Sequence, residues 1–319
     1  MERGDARTVT AEQGPRPGPL SGWAWWWIPL AVFAASRVVS SVMLLLAGPD
    51  QIPVTGEEEH FPRDPSFADL LSTWDGRWYR VIATDGYPTD LPREGDAVVK
   101  NVWAFYPLVP GLARLLMLGG LGHVWAASTV AMVTSAAACV VLFAMVRERS
   151  DDFTAALAVA TLVLGPIGAV FQTTYTEGSA LLLVLLTLRA LGARQWGRVV
   201  AYGLLLAFTR PITLALAAVC GLTWVLLWWR RDTEPFPSRD RVRLAATTVV
   251  LALSFLAWPA IAGIATGERD AYRTTQAAWL HPEAVWTTWL SGAGRARLVP
   301  GRADRHRHDG ARGVGGGPT

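Results

Sequence analysis

The residues with the clearest chemical potential surround Asp75, which stands among aromatic and arginine side chains in residues 74–88, just after the first apolar run. A carboxylate at a partly dry membrane boundary has its pKa raised toward the operating pH, which suits a general base for an acceptor hydroxyl. A structural alternative also fits, because Ser72-x-x-Asp75 matches the capping box that opens a short helix. The residues by themselves leave both interpretations open.

Four arginines have the chemistry to bind a phosphate, since guanidinium contacts phosphate oxygens through paired hydrogen bonds. Arg37 interrupts the first apolar run, where a charge costs roughly 2.5–3.5 kcal/mol on insertion scales and usually serves a function. We expect Arg37 to contact a donor phosphate or a buried carboxylate such as Glu177, with snorkelling to the interface as the alternative. Arg77, Arg80 and Arg210 are further phosphate candidates, and lipid headgroups are the alternative partners for each.

Composition excludes several function classes. A formal charge of +3 dispersed over 319 residues gives no support for nucleic-acid binding. Cys139 and Cys220 lie in separate apolar runs and the histidines are scattered, which argues against a disulfide and against a transition-metal site. No Gly-rich phosphate loop is present, so a mechanism driven by ATP or a nucleotide sugar lacks support.

Apolar stretches and arginine clusters predict the topology. The apolar stretches lie near 23–47, 124–146, 153–171, 178–191, 197–209, 211–229 and 244–265. Every second connection carries an arginine cluster: Arg147/Arg149, Arg189/Arg194/Arg198, and Arg230/Arg231/Arg239/Arg241/Arg243. With the N-terminus inside, all three clusters become cytoplasmic, as the positive-inside rule requires. Residues 48–100 then face outward, and their eleven acidic against five basic residues agree with that side.

We therefore predict an all-α polytopic transmembrane bundle of seven spans, whose large first extracytoplasmic loop, residues 48–123, carries amphipathic helices. Residues 197–209 would give only ~20 Å of helix, short of the ~30 Å membrane core. Because Arg210-Pro211 breaks the following run, we expect two short or re-entrant segments there that meet near the outer face. Residues 103–121 are expected to form an amphipathic helix on the outer surface.

The sequence divides into three parts. Residues 1–22 are expected to be a disordered cytoplasmic tail, and 23–291 the transmembrane module. The first apolar run is longer than a signal-peptide core and lacks a clear cleavage site, so we interpret it as a retained helix. Residues 292–319 should be disordered, and we favour an out-of-frame end to a truncated gene over an ordinary tail. The outer segment 266–291 would then lack packing partners.

Several motifs resemble the PIG-V-like mannosyltransferases, which are membrane glycosyltransferases of the GT-C type. The resemblance spans residues 23–230 and rests, in order, on Trp74-Asp75, Tyr79, Ile82-Ala83, Gly86-Tyr87, Ala104-Phe105-Tyr106-Pro107-Leu108-Val109-Pro110, Tyr175-Thr176-Glu177-Gly178 and Arg210-Pro211. The segment Tyr175-Thr176-Glu177-Gly178 is similar to a Tyr-Ser-Glu-Ser sequence of the family, so Gly178 stands where the family has serine. The segments within residues 74–88 and 104–110 are together more specific to the family than the other two.

The resemblance implies that Asp75 is the catalytic base of an inverting mannosyl transfer on the outer face of the membrane. The implied donor is a polyprenyl-phosphate mannose, and the acceptor is a lipid- or envelope-linked glycan. No metal or other cofactor is implied. The residues expected to bind donor or substrate are Arg37, Arg77, Arg80, Arg210, Tyr79, Tyr87, Tyr106, Tyr175 and Glu177. Glu177 is a candidate for binding a sugar hydroxyl, and a solvated helix end is the alternative.

The expected location is a bacterial plasma membrane, because lysine is represented by Lys100 alone among many arginines, as in a GC-rich genome. Two other functions stay open. A transporter or flippase for a lipid-linked sugar would also use an interrupted helix such as the one at Arg210-Pro211. An inactive remnant would follow if the chain is truncated.

Overall fold

The computed structural model describes residues 25–48 and 65–279. These residues are mostly helical, in agreement with the predicted all-α class. The helices are α1 (Trp27–Ala47), α2 (Phe67–Leu71), α3 (Asp75–Thr84), α4 (Leu108–Leu118), α5 (His123–Arg147), α6 (Asp152–Leu164), α7 (Glu177–Gly192), α8 (Trp196–Ala207), α9 (Thr213–Trp229), α10 (Ser238–Ser254), α11 (Ala257–Thr266) and α12 (Ala271–Trp279). Strands β1 (Arg93–Glu94) and β2 (Ala97–Val98) form one antiparallel hairpin. The predicted tails, 1–22 and 292–319, lie outside the described residues.

Three helical stretches of the described chain are long and apolar enough to cross a membrane. They are Trp27–Ala47, His123–Arg147 and Ser238–Thr266, the last formed by α10 and α11 together. Four shorter apolar helices are Leu108–Leu118, Asp152–Leu164, Trp196–Ala207 and Thr213–Trp229. The 13 residues of α6 extend only ~20 Å, against a membrane core of ~30 Å. The chain is thus consistent with a membrane protein, and its seven-span arrangement remains a prediction.

Proline interrupts the predicted apolar stretch 153–171 and separates the stretches 197–209 and 211–229. The run over 153–171 ends as an α-helix at Leu164, because extended Gly165 and then Pro166 cannot continue it, and a short 3-10 helix, Gly168–Phe171, follows. The expected break at Arg210-Pro211 is confirmed, since α8 ends at Ala207 and α9 begins at Thr213. Both interruptions leave irregular backbone between apolar helices.

The buried core consists of two main groups of apolar side chains. Leu206 of α8 and Leu251 of α10 are fully buried in the first group, which α7 and α9 complete. Phe143 of α5 and Val159 of α6 are fully buried in the second, against which α1 packs. Close van der Waals packing of these side chains stabilises the bundle and fixes the helix ends relative to one another.

The predicted arginine clusters converge at one end of the helices. Arg189, in the last turn of α7, pairs with Glu148, which follows α5, at 2.5 Å. Arg194, between α7 and α8, pairs with Glu234, which lies between α9 and α10, at 2.5 Å. The N-terminus of α7 and the C-terminus of α8 therefore lie at the other end, away from these ion pairs.

Helix α4 forms within the stretch predicted as amphipathic. Pro110 lies in its first turn, where a backbone N–H has no helical partner in any case. Arg114, which interrupts the apolar run, donates hydrogen bonds to the carbonyls of Ala83 and Thr84 at 2.7 and 2.9 Å. These carbonyls are at the C-terminal end of α3, so α4 braces the helix that begins with Asp75.

The expectation that residues 266–291 lack partners is wrong for α12. Asn101 donates to the Thr275 hydroxyl at 3.1 Å, and the hydroxyls of Tyr106 and Tyr272 are 2.9 Å apart. These bonds join α12 to the polar loop before α4, and the loop therefore supplies a packing surface for α12. Residues 280–291 lie outside the described part of the chain.

Candidate functional site

The capping-box interpretation of Asp75 is wrong. The capping box belongs to α2, where the Asp69 N–H donates to the Ser66 hydroxyl at 3.3 Å and the Ser66 N–H donates to Asp69 at 2.9 Å. Ser72 is instead the residue that ends α2. Asp75 is the first residue of α3, whose N-terminus has no side-chain cap. Ser72 and Asp75 therefore do not form a capping box at the start of α3.

The backbone immediately before Asp75 is strained. Trp74 has φ 52° and ψ −115°, a conformation that glycine adopts far more readily than a residue with a bulky side chain. It occupies a tight turn closed by a hydrogen bond from the Gly76 N–H to the Thr73 carbonyl, 2.9 Å. The Trp74 side chain is 66% exposed, so its own burial does not enforce the turn. Strain of this kind concentrates at functional sites, which makes the start of α3 a candidate.

Gly76 allows α3 to approach the segment that precedes α7. A Cβ atom at Gly76 would lie 2.2 Å from the Thr174 hydroxyl oxygen, far inside any normal contact. The Thr174 N–H also donates to the Leu71 carbonyl at 2.9 Å, which ties the segment to the end of α2. The sequence Asp-Gly is thus explained sterically: the glycine brings the aspartate close to α7.

An ion pair and two hydroxyls form the other side of the site. Arg210, in the irregular connection between α8 and α9, donates to Glu177 at 2.5 Å and to the Thr176 hydroxyl at 2.8 Å. The Tyr79 hydroxyl of α3 is 3.4 Å from that same Thr176 oxygen. Glu177 begins α7, and its second carboxylate oxygen, Oε2, is buried with no hydrogen-bond partner among the described residues. Buried acceptors without a partner are uncommon in folded proteins, which marks this carboxylate as a functional candidate.

Asp75 is electrostatically coupled to this pair. Burial raises the pKa of the Asp75 carboxyl, the negative charge of Glu177 raises it further, and the positive charge of Arg210 lowers it. Burial also raises the pKa of Tyr79 and of Tyr175 to about 12, so both hydroxyls are protonated at neutral pH. The arrangement combines a carboxylate with an elevated pKa, one cation and protonated hydroxyls.

Arg37 has a different environment from the one expected. Its guanidinium is 7% exposed and donates to the carbonyls of Gly168 and Val163 at 2.9 and 3.3 Å, and to the Ser36 hydroxyl. Because the side chain is buried and bonded inside the protein and does not extend to its surface, the snorkelling alternative is wrong. The expected contact with Glu177 is also wrong, because Glu177 pairs with Arg210. Arg37 satisfies the Val163 carbonyl, which the proline break after α6 leaves without a helical partner, and also bonds the carbonyl of Gly168 at the start of the following 3-10 helix.

The other predicted site residues divide into two groups. The guanidinium of Arg77 lies over the Trp78 ring, 4.9 Å from its centre, and Arg80 is exposed on α3. The Tyr87 hydroxyl donates to the Phe105 carbonyl at 3.1 Å, and Tyr106 bonds Tyr272. These two tyrosines pack in an aromatic cluster with Trp103 and Trp258 (Tyr87 4.7 Å from Trp103, Tyr106 5.8 Å from Trp258, between ring centres). Their hydroxyls hold the loop together and are not part of the Asp75 arrangement.

Sequence reasoning missed Thr176 and Ser135. Thr176 is completely buried and joins Tyr79 to Arg210, and its position inside the Tyr-Thr-Glu-Gly motif was the signal. Ser135 of α5 lies where a side chain at Gly178 would go, since a Cβ there would be 2.1 Å from the Ser135 hydroxyl oxygen. A serine on the facing helix therefore occupies the space that a side chain at position 178 would take.

Comparison with known proteins adds no identification. No protein-family model, no curated protein and no solved structure matches this chain.

Proposed function

We propose that this protein is a membrane mannosyltransferase that uses a polyprenyl-phosphate mannose donor, with Asp75 as its general base. The observation that carries the proposal is the grouping of Asp75 with the Arg210–Glu177 pair and the Thr176 and Tyr79 hydroxyls. The grouping lies at the helix ends opposite the arginine clusters. A raised pKa suits the base, because proton transfer is most efficient when the pKa of the base approaches the working pH.

In the proposed reaction the acceptor hydroxyl oxygen attacks the anomeric carbon of the donor sugar. Its proton passes to Asp75 while the bond between the anomeric carbon and the phosphate oxygen breaks. The polyprenyl phosphate leaves with the electron pair of that bond, and the configuration of the sugar is inverted. Arg210 is suited to stabilise the charge that develops on the phosphate, and the partly exposed carboxylate of Glu177 is suited to accept a hydrogen bond from a sugar hydroxyl.

The proposal includes a topology. The three arginine clusters face the cytoplasm and the Asp75 site faces outward, at the bacterial plasma membrane, because the positive-inside rule favours that orientation. Nucleotide sugars are not available on that side, so a lipid-linked donor fits it. The acceptor would be a glycan or glycolipid of the envelope. The seven-span arrangement of GT-C type is part of this same proposal.

A flippase for a lipid-linked sugar is the second candidate, favoured by the irregular connection between α8 and α9 that carries Arg210. Transporters place substrate sites at interrupted helices of this kind. The two candidates differ in whether a covalent bond to the sugar is broken, so one labelled substrate separates them.

The test uses membranes that contain the full chain and radiolabelled polyprenyl-phosphate mannose. The expected result is label in a glycan or glycolipid product, with release of polyprenyl phosphate. Asp75→Asn should abolish this transfer, because an amide accepts no proton. Asp85→Asn is the matched control, since Asp85 lies exposed at the other end of α3. Wild-type transfer by Asp75→Asn would eliminate Asp75 as the base, whereas uptake of intact donor into vesicles would favour the flippase.

A further inference from the structure

A second region of the molecule has the composition of a binding site, at the helix ends opposite Asp75. Two neighbouring cavities of about 690 and 630 Å³ open there, and both are lined by Gln195 and Arg198. Arg149 and Arg189 also line the first cavity, and Arg243 the second. We propose that these adjoining cavities bind the phosphate headgroup of an anionic membrane lipid.

The charge balance of the lining favours an anion. Among the residues that line the two cavities, five are arginines and one is a carboxylate, Glu148. Glu148 pairs with Arg189, and Arg194 pairs with Glu234 at 2.5 Å. Arg198 instead donates to the neutral amide of Gln195, at 2.7 Å. Arg198 is exposed, and its guanidinium has no carboxylate partner in this contact, so it is available to bind an anion that enters the cavity.

Two further arginines have the same property. Arg149, just after α5, donates to the backbone carbonyl of Met145 in the last turn of α5, at 3.4 Å. Arg243 makes no ion pair within residues 25–48 and 65–279. Together with Arg198 these side chains come from the ends of α5, α8 and α10. Arg149 borders the first cavity, Arg243 the second and Arg198 both, so each cavity has guanidinium groups from two helix ends with which to contact a phosphate.

The apolar part of the lining identifies a lipid as the source of the phosphate. Met145, Leu186 and Leu188 line the first cavity, and Val200 and Val250 line the second. Helix α5, whose C-terminal end borders the first cavity, is long and apolar enough to span a membrane. The cavities thus have apolar walls beside basic ends at a membrane boundary, as headgroup pockets between transmembrane helices do. A water-soluble phosphate has no apolar part that could contact these walls.

The turn between α7 and α8 is built to present this site. Arg194 adopts φ 54°, a left-handed conformation that is unfavourable for a residue with a side chain. The following N–H, that of Gln195, donates to the Ala190 carbonyl at 2.8 Å and closes the turn. The tight turn brings Gln195 and Arg198 beside the last turn of α7, where Arg189 lies.

The test measures binding of radiolabelled phosphatidylglycerol to the full chain in micelles of a zwitterionic lipid. Arg198→Gln should weaken binding about tenfold, the effect of losing one charge-assisted hydrogen bond. Arg239→Gln is the matched control, because Arg239 is exposed at the start of α10 and does not line either cavity. This control should change affinity less than about twofold, the effect of one screened surface charge.

A second variant keeps the result interpretable if Arg198→Gln fails to fold. Arg198→Lys retains the charge and should still weaken binding, because an ammonium group lacks the planar pair of donors. Equal affinity losses in Arg198→Gln and Arg239→Gln, or unchanged affinity in Arg198→Lys, would mean a diffuse basic surface and overturn the proposal. Displacement of the lipid by glycerol phosphate at the same concentration would overturn the lipid as the source.

Discussion

Replacement of Gly76 by alanine is the sharpest test of how Asp75 is positioned. The added Cβ would lie 2.2 Å from the Thr174 hydroxyl oxygen, and Thr174 is completely buried. Neither group moves freely, because Gly76 belongs to α3 and the Thr174 backbone bonds the Leu71 carbonyl. Gly76→Ala must therefore push α3 away from the segment before α7.

The magnitude follows from the geometry. Forcing one extra carbon into a filled site costs about 1–3 kcal/mol. Removal of the hydroxyl in Thr174→Ala should relieve this, since the next atoms, Ser72 Oγ and Thr174 Cβ, are 3.3 and 3.6 Å from the added Cβ. The Thr174 hydroxyl is itself buried with no hydrogen-bond partner among the described residues, so its removal should cost little. Thr174→Ala alone should therefore lose only the packing of the buried Cγ2 methyl, about 1 kcal/mol. The double variant should recover most of the loss.

The assay is thermal unfolding of the four proteins of this cycle in detergent, followed by tryptophan fluorescence. Gly111→Ala is the control, because Gly111 also lies in a helix, α4, with open space around its added Cβ. That change should be neutral or stabilising by about 0.5–1 kcal/mol, the intrinsic preference of a helix for alanine. Additive effects of Gly76→Ala and Thr174→Ala would refute the close approach, as would a Gly76→Ala protein as stable as Gly111→Ala.

Three further predictions concern the charged groups. Burial raises the pKa of Asp75 above its unfolded value, so the wild-type protein loses stability as the pH rises through the folded pKa. Asp75→Asn should therefore unfold at a higher temperature than wild type at pH 7. The two proteins should unfold at the same temperature at a pH where the carboxyl is protonated in both the folded and the unfolded state. In transfer assays, Glu177→Gln should shift the acid limb of the pH profile down and Arg210→Gln should shift it up, because Glu177 raises and Arg210 lowers the pKa of Asp75; shifts in the same direction would contradict the coupling. Arg37→Leu should lower the free energy of unfolding by about 1–3 kcal/mol for each of the two carbonyls it abandons, and normal stability with weakened donor use would instead return Arg37 to the substrate site.

The local features of this chain were predictable because they depend on residues close in sequence. Apolar composition and length predicted the membrane-spanning candidates, and Pro211 predicted the break between α8 and α9, since proline lacks the N–H that a helix requires. The sequence also singled out Asp75, Glu177 and Arg210 by residue type and motif order. Convergence of the arginine clusters at one end followed from alternating helix direction.

Partner choice across the fold was decided only by tertiary packing. Arg37 and Arg210 looked like comparable phosphate candidates, yet Arg37 bonds the carbonyls after α6 and Arg210 bonds Glu177. Tyr87 lies in the same motif as Asp75 and Tyr106 in the next one, but the Tyr87 hydroxyl bonds within the loop and the Tyr106 hydroxyl bonds α12. Helix periodicity and composition predict which segments are helical and which of their faces are apolar. They do not predict the hydrogen-bond partners of these side chains, because each partner lies on another segment. Which segments meet is set by close packing of the whole bundle, such as the approach that Gly76 permits.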